Sequence, residues 1–178
     1  RPTSIWGPGF KEPYKNFFNL ILQKKYFHIG NKKTLKTYGY IGNIAHQFIE
    51  LISKEEKLIN KKVFYLGDSP NYNIREWAND ISKLSNSKVI KTMPIFVVYI
   101  ISVFGTILGK FNFKIPLTLF RFRNMTTSNI IDLKPILKLS KKLPFKRKNG
   151  IKLTLDWILN ENKYNNYDEF KKLMKIHS

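Results

Sequence analysis

One pair in this sequence has the spacing for acid–base chemistry: Tyr167 and Lys171 stand four residues apart, the only Tyr-x-x-x-Lys in the chain. A phenol assisted by a neighbouring ammonium can exchange a proton with a hydroxyl. The pair falls in the polar stretch after Asn162, where no apolar periodicity holds it to a core, and the spacing is read as coincidence. There is no Cys, which excludes disulfides, thiolate metal sites and cysteine nucleophiles. His28, His46 and His177 are too scattered to suggest a zinc site, so no metal is expected. The sequence has no Gly-x-x-Gly-x-x-Gly or Gly-x-Gly-x-x-Gly loop, no P-loop and no Gly-x-Ser-x-Gly elbow. No residue of this chain is assigned a catalytic role.

The charge points to a partner. Against 12 Asp and Glu stand 32 Lys and Arg, a formal net charge of +20. A polyanion such as nucleic acid, an acidic membrane or a phosphorylated ligand would suit that balance. Compositional bias accounts for part of it, since Lys, Asn and Ile are abundant throughout and the basic clusters are short (Lys141-Lys142, Lys146-Arg147-Lys148). No nucleic-acid motif accompanies the charge, which makes nucleic acid the weakest of the three. Hydrophobic residues at 43% and aromatics at 15% argue for a globular chain. Its 178 residues suffice for one domain, or part of one, with a core.

The elements that would position such a site alternate. Arg1 to Trp6 reads as a buried strand closed by Gly7-Pro8-Gly9, a passage typical of the middle of a protein. Tyr14 to Tyr26 has helical spacing. Tyr26 to Gly30 and Thr34 to Ile41 are expected to pair as a small hairpin about Asn31-Lys32-Lys33. Asn43 is a candidate N-cap for a helix over Ile44 to Ser53. Lys61 to Gly67 reads as a strand, Asn73 to Glu76 as the capped start of a helix to about Leu84, and Lys88 to Lys91 as a short strand. Met93 to Gly109 is the most hydrophobic window. At 17 residues it is short for a membrane span, and it reads as a buried or pocket-covering helix, with peripheral membrane contact as the alternative. Arg121 and Arg123 alternate with Phe120 and Phe122 in a pattern that suits an extended segment. Leu137 to Leu143 precedes Pro144, and a last helix is expected from about Ile151 to Glu161. The fold class is α/β.

Four passages in order resemble the NAD-dependent epimerase/dehydratase family, the extended short-chain dehydrogenase/reductases that remodel nucleotide sugars. Arg1 to Phe10 is similar to the family's Arg-Pro-x-x-x-Tyr-Gly-Pro-Gly. Lys36-Thr37-Tyr38-Gly39-Tyr40-Ile41-Gly42-Asn43 resembles Arg-Asp-Tyr-x-His-Val-x-Asp. Val63 to Asp68 followed by Asn73 to Ala78 is similar to the strand, Gly-Asp and Ser-x-x-Glu helix of the family. Asp132, Leu143-Pro144, Gly150 and Trp157 resemble its closing pattern.

The resemblance implies the last strands of a Rossmann-type parallel sheet (residues 1–92), a mainly helical substrate-capping region (93–161) and a polar tail (162–178). The NAD-binding half, with the glycine-rich loop and the catalytic Tyr and Lys, is expected upstream of Arg1. Tyr167 and Lys171 lie beyond every element that the family's pair precedes. By the same resemblance, Pro2 and Ile5 would lie by the nicotinamide end of NAD. Ser4, Phe27, His28, Lys36 and Tyr38 would contact a nucleotide-diphosphate sugar, with the Phe27-His28 loop at the base and ribose. Lys36 takes the place of a diphosphate-binding Arg, exchanging a bidentate fork for a point charge. Arg121 or Arg123 would supply a second phosphate contact. The further implied partners are the missing half and a homodimer mate, in the cytoplasm or at a membrane surface. A non-catalytic basic module on an anionic membrane and, less favoured, a nucleic-acid-binding protein are the readings from other classes.

Overall fold

The computed structural model describes residues 1–10, 12–111, 115, 117–140 and 142–160. In chain order, β1 (Ser4–Trp6) leads to α1 (Tyr14–Leu22), then β2 (His28–Ile29), β3 (Leu35–Lys36) and β4 (Tyr38–Tyr40), which runs directly into α2 (Ile41–Ile52). A single turn, α3 (Glu56–Ile59), precedes β5 (Tyr72–Asn73), α4 (Ile74–Leu84) and β6 (Thr92–Met93). Four helices follow: α5 (Ile95–Gly109), α6 (Leu119–Thr126), α7 (Lys134–Leu139) and α8 (Arg147–Leu159).

The mixed α/β character holds, but no continuous Rossmann-type sheet forms among the described residues. The strands pair in twos. β1 runs parallel to β4 with Ser4 opposite Tyr38, β2 parallel to β6, and β3 antiparallel to β5. The expected hairpin between 26–30 and 34–41 is therefore absent, because each flank finds a partner distant in sequence. His28 N donates to Lys91 O at 2.9 Å, and Gly30 N to Met93 O at 2.8 Å. The strand expected at 88–91 sits one step later, as β6. The stretch 61–67 alternates as a strand does, with Val63 and Tyr65 exposed and Leu66 buried. Within that stretch only Leu66 forms a bridge, to Pro2, because Gln47 takes up the next peptide group. Its side-chain amide donates to Gly67 O and accepts from Gly67 N, each at 3.0 Å, and so stands in for a neighbouring strand.

An aromatic cluster centres the core. Trp6 is fully buried and has Tyr40, Tyr72 and Trp77 edge-on at centroid distances of 5.1–5.9 Å, with Phe18 stacked at 6.0 Å. Edge-to-face contacts of this kind add to the area that each ring buries. Gly7 turns the chain away from β1 at φ +138°, and a Cβ there would stand 2.5 Å from Ile41 Cγ2. Only glycine suits both the angle and the space.

Asn43 departs from its expected place as a cap. α2 begins at Ile41 with Tyr40 as its N-cap, because the β1–β4 pairing holds the backbone extended as far as Tyr40. Asn43 is buried in the first turn instead. Its amide donates to Asp68 Oδ1 at 2.8 Å and to Phe145 O at 2.9 Å, and its oxygen accepts from Phe145 N at 2.9 Å. Asn73 does cap α4: its side chain accepts from Arg75 N and donates to Glu76 Oε1 at 2.9 Å. Helix ends shift elsewhere. α1 stops at Leu22, α7 at Leu139, and α8 starts four residues earlier than expected. The polar tail with Tyr167 and Lys171 lies outside the described residues.

Candidate functional site

A cavity of about 800 Å³ lies between β1, α1, the β3–β4 segment and α6. The β1–β4 pairing sets Ser4 and Ile5 beside Tyr38 on one wall. α1 contributes Tyr14 and Phe17, and α6 contributes Phe120, Arg121 and Asn124 from the opposite side. Thr37 ties the β3–β4 segment to the residue before β5 and to the stretch that follows α6. Its hydroxyl donates to Asn71 Oδ1 at 2.7 Å and accepts from Ile131 N at 2.9 Å, while Thr37 N donates to Asn129 O.

The electrostatics of the wall are one-sided. Lys32, Lys36, Arg75 and Arg121 line it against a single carboxylate among the described residues, Glu12. Lys36 is only 6% exposed, and its ammonium donates to Asn124 Oδ1 at 3.3 Å. Burial pulls its pKa below the usual lysine value, and among the described residues no carboxylate pairs with it. A buried cation answered by a neutral amide favours an incoming anion, which would replace the water it has lost.

The remaining walls suit a ligand with rings and hydroxyls. Tyr14 hydrogen-bonds Ser4 and Tyr38, and burial raises both phenols above their ordinary value, so they act as neutral hydrogen-bonding groups near pH 7. Tyr26 stands edge-on to His28 at 5.6 Å and is pushed up to about 12 by burial. His28 Nε2 lies 2.9 Å from Asn79 Oδ1, and burial, aided by the Arg75 charge, lowers its pKa. His28 is therefore a neutral imidazole at pH 7.

The cavity brings together six of the nine residues singled out in the sequence: Ser4, Ile5, His28, Lys36, Tyr38 and Arg121. Three stand apart. Pro2 is exposed and bridged to Leu66, Phe27 is half-buried off the wall, and Arg123 is exposed on the far side of α6. The choice between the two arginines follows from the helix. Thr118 caps α6, accepting from Arg121 N, so 120–123 is not the extended segment that its alternation suggested. Two residues 200° apart around a helix cannot both face one cavity. Sequence reasoning missed Arg75, whose guanidinium donates to Gly30 O and, at 3.1 Å, to Thr92 Oγ1. Its place in the first turn of a capped helix was visible, but nothing there showed which cavity that turn would meet. No group of metal-ligating side chains occurs among the described residues.

Solved structures share this architecture. The chain superposes on UDP-glucuronic acid 4-epimerase from Bacillus cereus, in complex with NAD, with a TM-score of 0.60 at 12% identity, covering 93% of this chain and 44% of that one. The chain shares the fold of part of that epimerase. UDP-glucose 4-epimerase from Thermotoga maritima, with UDP-glucose, matches at a TM-score of 0.59 and 13% identity over 91% of this chain and 45% of its own. A human epimerase family protein, with NADPH, matches at 0.59 and 12% over 88% and 47%. The chain thus spans a little under half the length of these structures. Neither protein-family models nor curated proteins give a sequence match.

Proposed function

We propose that this chain is the substrate-binding C-terminal part of an NAD-dependent epimerase or dehydratase acting on a nucleotide-diphosphate sugar. One observation carries the reading: the buried Lys36 ammonium, with Arg121, Arg75 and Lys32, faces a ring-lined cavity that holds one carboxylate among its described residues. The fold shared with epimerases whose structures contain UDP-glucose or NAD supports it.

In this reading Lys36 and Arg121 grip the diphosphate, one as a point charge and the other with a fork. His28 and Tyr26 stand at the base and ribose, where a ring can stack and a neutral imidazole can hydrogen-bond. Ser4, Tyr14 and Tyr38 form a connected set of hydroxyls, able to hold sugar hydroxyls in one orientation. NAD would meet this chain at one edge. Ile5 offers an apolar side chain in the cavity wall beside Ser4, which fits a nicotinamide ring, while Pro2 lies off that wall. When bound, NAD supplies the acceptor for a hydride from the sugar carbon. The residues that grip its pyrophosphate and exchange the proton belong to the other half of the parent enzyme.

A thermal-shift series on the chain tests this with uridine, UMP, UDP and UDP-glucuronic acid. Stabilisation that rises with each phosphate is expected, since at a fixed concentration a tighter ligand stabilises the folded state more, as RT ln(1 + [L]/Kd). Equal shifts with uridine and UDP would remove the diphosphate grip from the account.

A further inference from the structure

α5 is inside out for a surface helix. Its protein-facing side is made of small residues: Val98, Ser102 and Gly105 are buried. The bulky ones point away, with Phe96 64% and Phe104 62% exposed, and Ile100 and Ile107 about half exposed between them. On a 100° helical wheel these four fall on one face, opposite the buried three. The small side permits a close approach. A Cβ on Gly105 would stand 2.0 Å from Leu117 O, in the segment leading to α6. The Ser102 and Thr106 hydroxyls are satisfied internally, with Ser102 Oγ donating to Tyr99 O at 2.7 Å and Thr106 Oγ1 to Ser102 O at 2.8 Å. Tyr99, half exposed, stands beside the outward face with its ring edge-on to Phe122. The outward face therefore carries no polar requirement. Phe111, just past the end of the helix, is exposed as well. Contiguous apolar surface of this extent is rare where nothing covers it.

Charge identifies the occupant. Between Asp80 and Asp132 the sequence has no Asp or Glu, while Lys83, Lys88, Lys91, Lys110, Lys114, Arg121 and Arg123 all fall within that stretch. Lys91 and Lys110 are exposed close to the two ends of α5. A bulky apolar face on a helix within an acid-free, basic stretch of the chain matches the layered chemistry of an anionic bilayer: acyl chains beneath, phosphates at the rim. A helix of 15 residues is roughly 22 Å long, too short for a hydrocarbon core of about 30 Å. Accordingly, no helix among the described residues is long and apolar enough to cross a membrane.

We infer that α5 lies in the plane of an anionic membrane surface and seats the chain there through Phe96, Ile100, Phe104 and Ile107. α6 packs against α5 and gives Phe120, Arg121 and Asn124 to the cavity, so this seating brings the cavity to the headgroup layer. The inference does not depend on which ligand the cavity takes.

Flotation of the chain with phosphatidylcholine vesicles, with and without a minority of phosphatidylglycerol, at low and high salt, tests it. Wild type is expected to float with the anionic vesicles and to lose most of that binding at high salt. Phe96→Ser/Phe104→Ser alters only exposed side chains, and near-ultraviolet circular dichroism of the buried Trp6 and Trp77 checks its fold. It should bind the anionic vesicles at least about tenfold more weakly. Binding that this double variant leaves unchanged would overturn the inference in favour of general basic adhesion. No flotation, with a dimer in solution that Phe96→Ser/Phe104→Ser dissociates, would overturn it in favour of a second copy.

Discussion

The Lys36 ammonium donates to Asn124 Oδ1 at 3.3 Å, a contact that joins the strand on one wall of the cavity to the helix on the other, 88 residues away. It is a weak hold on a buried charge. A diphosphate oxygen would be a stronger acceptor, and binding is expected to exchange one for the other.

That exchange has a pH signature. Burial lowers the Lys36 pKa below the usual value of 10.5. An anionic ligand favours the ammonium and raises this pKa on binding, so above the free-state value the binding step must take up a proton. Diphosphate affinity should therefore fall at alkaline pH, before ordinary lysines titrate. Lys36→Arg should remove the fall over that range, since a guanidinium stays charged. Isothermal titration at stepped pH reads both.

His28 gives an acid-side test. Its lowered pKa means that the folded state disfavours the imidazolium. The stability it contributes is fully present above the unfolded value near 6.5 and is lost as pH falls through the folded one. Urea midpoints should drop over that window in wild type. His28→Gln keeps a partner for Asn79 and should flatten the drop.

Asp68 behaves in the opposite sense. It is buried and accepts from Tyr72 OH at 2.5 Å, Tyr40 N at 2.9 Å and the Asn43 amide. Burial outweighs those hydrogen bonds and raises its pKa above 3.8. Its contribution is full below that value and lessens as pH rises through the folded one. Removing the acceptor is still costly. Asp68→Ala would orphan the donors at Tyr72, Tyr40 and Asn43, with an expected loss of about 3 kcal/mol by urea unfolding near neutral pH.

Gln47 stands where a strand would. Gln47→Leu keeps the volume but strips both partners from the buried Gly67 peptide, and should cost roughly 2–4 kcal/mol by urea unfolding. A cost near zero would mean that solvent reaches that peptide.

The sequence made the apolar-periodic elements legible. The capped start of α4 at Asn73 and the helix over 95–109 follow from local chemistry. Pairing was not legible, because two-residue strands such as β2 and β6 carry no pattern that names a partner 64 positions away. Asn43 is a good cap by type, and only the tertiary contacts of Asp68 and Phe145 reassign it. In the site, Lys36 and His28 converge because short strands hold them, whereas the Arg121–Arg123 choice required knowing that Thr118 starts a helix. Arg75 was hidden because the wall it joins is built by β2 and β6, whose contact the sequence does not reveal.

The most direct test of the diphosphate-sugar site is isothermal titration of UDP-glucuronic acid into wild type and Lys36→Ala, with uridine as the phosphate-free control. Saturable binding to wild type, negligible binding of uridine, and at least about a tenfold loss in Lys36→Ala are expected. Equal affinity in the two proteins, or no binding to wild type, would contradict the diphosphate grip.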